Sequence, residues 1–73
     1  MGHKSEIARI REQIDLECQA IRRVFEEPAI VASHDSIEAR YRNLHGLEQE
    51  LKPLVGEKEA TSTLVEIYSK VVG

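Results

Sequence analysis

In residues 5–27 the apolar side chains fall at Ile7, Ile10, Ile14, Cys18, Ile21 and Phe25, in steps of 3, 4, 4, 3 and 4. On a helix that spacing keeps one continuous stripe, whereas on a strand it would scatter the same side chains over both faces. The steps repeat after eleven residues, Ile7-Ile10-Ile14 against Cys18-Ile21-Phe25. Such a period suits a nearly straight helix better than the strict heptad of a long supercoil, so a leucine-zipper rod is disfavoured. Ser5 stands where a hydroxyl can accept a bond from a first-turn amide, and Glu6 complements the positive end of the helix dipole. Pro28 ends the element, because it has no N–H and disfavours a helical Glu27.

The connector from Pro28 to Asp35 is apolar at Ala29-Ile30-Val31-Ala32 and then polar, as expected of a short turn lying over a bundle end. Asp35-Ser36-Ile37-Glu38 has capping-box spacing, which starts a second helix near Ser36. Its stripe is Ile37, Tyr41, Leu44, Leu47 and Leu51. Pro53 followed by Gly56 marks its end near residue 52, with a distorted extension to Val55 as the alternative. A third helix over residues 57–72 opens on Glu57 and Glu59, carries Ala60, Leu64, Ile67 and Val71 on one face, and has Lys70 in its last turn.

The last two helices are joined by only a few residues, so they are expected to form an antiparallel hairpin. The expected fold is all-α: one domain, residues 1–73, built as a three-helix antiparallel bundle of a long helix and a hairpin. A chain of 73 residues buries only about 60 per cent of its extended surface, so help from a partner chain is expected.

His34, Ile37, Arg40, Leu47, Leu51 and the run Leu54-Val55-Gly56-Glu57-x-Glu59-Ala60, with Ile10-Arg11-x-x-Ile14 upstream, resemble the pattern of short, uncharacterised all-helical bacterial proteins. The resemblance implies helicity and a bacterial source. It attaches no activity, cofactor or catalytic residue.

Apolar character exceeds what one core needs. At about 100 degrees per residue, Leu16 lies almost opposite the stripe of the first helix, with Ala20 and Val24 off to the same side. In the third helix Val65, Tyr68 and Val72 form an adjoining arc, so nearly half its circumference is apolar. These six residues are the expected interface; a symmetric homodimer is the default form because closed two-fold assemblies dominate among homo-oligomers, with a higher helical oligomer as the alternative. Arg40 and Glu48 intrude on the stripe of the second helix and Glu17 borders that of the first. Charges so placed act as boundary ion pairs or fix the register of a helix interface.

Chemistry-bearing patterns are sparse. His34 with Glu38 and His45 with Glu48 have spacings that suit a shared metal ion, yet two ligands do not make a site and the chain has no Glu-x-x-His. No metal and no cofactor is expected. Cys18 lies within the apolar stripe, where a thiol acts as a small inert hydrophobe. Thr61, Ser62 and Thr63 have no nearby histidine to activate them and are expected on the helix surface. With no glycine-rich phosphate loop, nucleophile elbow or metal knuckle, and only three aromatics, no catalytic residue is expected and the chain is not expected to be an enzyme.

Ten Lys and Arg against thirteen Asp and Glu argue against a basic face for phosphate, so nucleic acid is not an expected partner. The longest apolar run, four residues at Ala29 to Ala32, falls far short of the roughly 20 needed to cross a bilayer, and no targeting segment is visible. One cysteine cannot close a bridge within its own chain, which suits a reducing cytoplasm. The functional expectation is a small interaction or assembly module that binds itself, or another protein, without catalysis. Two alternatives stand beside it: a metal-binding histidine and carboxylate bundle assembled across a dimer, and a small helix-turn-helix-like DNA-binding regulator.

Overall fold

The computed structural model describes the backbone of residues 3–26 and 34–73, and the side chains of residues 5–26 and 37–73. Three helices make up nearly all of this: α1 (His3–Glu26), α2 (His34–Val55) and α3 (Glu57–Val71). Each packs on both of the others. The molecule measures 43 × 21 × 20 Å, and α1, with its 24 residues, spans about 36 Å at 1.5 Å each.

Two helix starts differ from the sequence expectation. α1 begins at His3, so Ser5 and Glu6 lie inside its first turns, where Glu6 pairs with Arg9 at 2.7 Å. The Arg9 guanidinium holds the Glu6 carboxyl below its usual range. α2 begins at His34, which puts Asp35 and Ser36 within the helix instead of at its cap. The connector and the stop at Pro28 lie outside the described residues.

At its other end α2 takes the longer of the two expected courses and runs through Pro53 to Val55. Pro53 forfeits only the bond its own N–H would donate to the Gln49 carbonyl, a loss tolerable in a last turn whose outer side faces solvent. Gly56 then divides α2 from α3 alone. Its N–H still donates to the Lys52 carbonyl at 2.8 Å, and its own carbonyl already accepts from Ala60 N–H at 2.9 Å. One residue serving both helices must turn the chain sharply, and Gly56 does so at φ 95°, ψ 158°, a region essentially reserved for glycine. The C-terminus of α3 is closed by Val72 N–H donating to the Tyr68 carbonyl and by Arg22 of α1 donating to the Val71 carbonyl at 3.4 Å.

The core consists of Ile10, Ile14, Cys18 and Ile21 from α1, Leu44 and Leu51 from α2, and Ala60 and Ile67 from α3, with Thr63 buried beside them. Four of the six stripe residues of α1 are therefore central, but Phe25 is 60% exposed. It sits in the last turn of α1, against the end of α3 at Val71, Val72 and Gly73, where no further turn of that helix continues to cover it. Tyr41, expected in the α2 stripe, is turned outward and exposed. Thr63, expected on the surface, is buried. On α3 the buried arc is Ala60, Thr63 and Ile67, with Leu64 half-buried at its edge. A helix seated between two others buries the arc facing the middle of that groove, and small residues at 60 and 63 permit close approach there.

Candidate interaction surface

Pairings between helices locate the surface. Tyr41 and Tyr68 bring their hydroxyls to 2.8 Å, with ring centroids 6.3 Å apart and planes tilted by 40°. Two turns along, Thr61 Oγ1 donates to Glu48 Oε2 at 2.7 Å. Between these contacts the α2–α3 face holds a shallow apolar cleft of about 240 Å³, lined by Leu44, Leu64 and Val65 with His45 on its rim. Val65 is 55% exposed at its edge. His45 Nδ1 lies 3.9 Å from Glu48 Oε1.

The Tyr41 hydroxyl and partial burial together push the Tyr68 phenol up to about 12, the hydrogen bond being the larger cause. A Tyr68 phenol held protonated in this way is not poised as a base near neutrality. Cys18 is free and buried, and desolvation raises its thiol, with the carboxylates of Asp15 and Glu17 acting in the same direction. A thiol held protonated in this way is a poor nucleophile.

Across the α1–α2 seam Glu17 accepts from Arg40 Nη1 at 3.2 Å and from Asn43 Nδ2 at 3.3 Å. The charges that intrude on the apolar stripes are thus engaged between helices of the same chain: Arg40 with Glu17, and Glu48 with Thr61. On the solvent face of α1, Arg22 and Glu26, four residues apart, meet at 2.9 Å. Asp15 accepts from Gln19 Nε2 at 3.3 Å.

The six expected interface residues do not gather on one surface. Leu16 is 50% exposed on the outer side of α1, with Ala20 and Val24 half-buried. Val65 and Tyr68 line the α2–α3 cleft. Tyr68 and Val72 pack against the core of their own chain. The sequence reading missed Tyr41 as a surface residue because helical periodicity treats tyrosine as apolar; its hydroxyl, opposite that of Tyr68, was the available signal.

Among the described residues no group of three or more His, Cys, Asp or Glu could hold a metal ion. The His34 side chain lies outside them. No helix of the described residues is long and apolar enough to cross a membrane. Comparison with protein-family models, with curated proteins and with solved structures finds no match.

Proposed function

We propose that the chain is an antiparallel three-helix module that works by binding a second copy of itself, without catalysis. Antiparallel packing is supported by the order of contacts: residue 41 meets 68 while 48 meets 61, and Arg9 reaches Glu50 while Arg40 reaches Glu17. The single observation that carries self-association is the cleft between α2 and α3, where Tyr41 and Val65 leave apolar surface in water on one shared face. Burying it would add stabilisation at roughly 25 cal/mol per Å² of apolar area to a domain whose own core is small.

Sedimentation of the wild-type chain over tens to hundreds of micromolar tests the reading. A species heavier than one chain is expected, with Val65→Glu dissociating it and Leu16→Glu leaving it intact. A single-chain mass throughout that range refutes the proposal.

A further inference from the structure

One side of α2 carries exposed Glu38 and His45 and half-buried Lys52, each seven residues from the next. Seven residues are almost two turns, so the three lie within about 20 degrees of one line, and Glu38 and Lys52 stand about 10 Å to either side of His45. Glu38 and His45 expose most of their side chains. Arg42, one turn on, lies 4.0 Å from Glu38 in a long, exposed pair, so the strip runs from a partly offset acid at one end to a base at the other and is centred on a ring. It is complementary in charge to itself turned end over end.

The α3 side of the same face matches this centre. Since 41 meets 68 and 48 meets 61, the level of His45 on α2 corresponds to residue 64 on α3, one residue from exposed Val65. A line drawn across both helices at this level therefore passes by His45 and Val65.

We infer that a second copy of the chain docks on the α2–α3 face about a two-fold axis at His45, with α2 antiparallel to its counterpart. This rests on the self-association proposed above and specifies its geometry. Glu38 of each copy meets Lys52 of the other at two equivalent contacts, while the two Val65 side chains close on each other over the cleft. The same arrangement in parallel would set Glu38 against Glu38 and Lys52 against Lys52, so the charges select the antiparallel dimer as well as attract it.

Glu38→Lys and Lys52→Glu, made separately, test this. Each variant alone places like charges at both contacts, and each is expected to associate about tenfold or more weakly than wild type in sedimentation. Mixed in equal amounts, the two variants oppose unlike charges at both contacts, and a two-chain species holding one of each is expected to return. Helical content equal to wild type shows that each variant folds. If the wild type associates but the variants associate as tightly as it does, or if their mixture stays dissociated, the geometry is overturned while self-association stands. A wild type that remains a single chain overturns both.

Discussion

Gly46 and Gly56 offer the same substitution in two opposite settings. Each has open space where a Cβ would stand, with nothing within 4 Å, so replacement by alanine creates no clash at either and isolates the backbone. Gly46 lies in the middle of α2, on its exposed side, where alanine removes conformational freedom from the unfolded chain and suits the helix. Gly46→Ala is expected to stabilise by about 0.5–1 kcal/mol. Gly56 stands at φ 95°, ψ 158°, where an L side chain is strained, so Gly56→Ala is expected to destabilise by about 1–3 kcal/mol. The two variants should therefore differ by about 1.5–4 kcal/mol with opposite signs relative to wild type. Because a kcal/mol moves the midpoint of a domain of this size by about 4–8 °C, thermal melts followed by circular dichroism resolve both effects. They must be run at one protein concentration, since association would itself shift the midpoint. A Gly56→Ala variant as stable as wild type would mean that α2 and α3 are joined through an ordinary helical residue, and the sharp turn at Gly56 would be lost as a description of this chain.

Tyr41→Phe removes the hydroxyl that holds Tyr68 protonated, and the phenolate titration of Tyr68, followed by ultraviolet absorbance, should fall from about 12 toward the ordinary value of 10.0. Because the folded value lies above the unfolded one, the stability this group contributes is present below pH 10 and is lost as pH climbs toward 12; the wild type should lose more stability over that window than Tyr41→Phe, and equal losses would refute the hydroxyl pair. Cys18 should react with a thiol reagent only as fast as the bundle opens, so labelling followed by mass spectrometry should quicken in step with added denaturant. Rapid labelling of the native protein would contradict its place in the core.

The existence of three helices, their approximate bounds and most of the core were legible along the chain. They are set by local chemistry: a 3.6-residue period at Ile10, Ile14, Cys18 and Ile21, and a Pro–Gly signal ahead of an acidic first turn at Glu57. Glu17, Arg40 and Glu48 could likewise be marked as charges near apolar seams. The opposite faces of Tyr41 and Thr63 were not legible, because which flank of a stripe is buried depends on the direction from which two other helices approach. Phe25 follows the period perfectly and is still exposed, since periodicity describes one helix and says nothing of where its neighbours end. The Tyr41–Tyr68 contact and the cleft beside Val65 exist only once α2 and α3 lie side by side. Local spacing determined the elements; the way each helix sits in the groove between the other two decided which side chains are covered and which stay exposed.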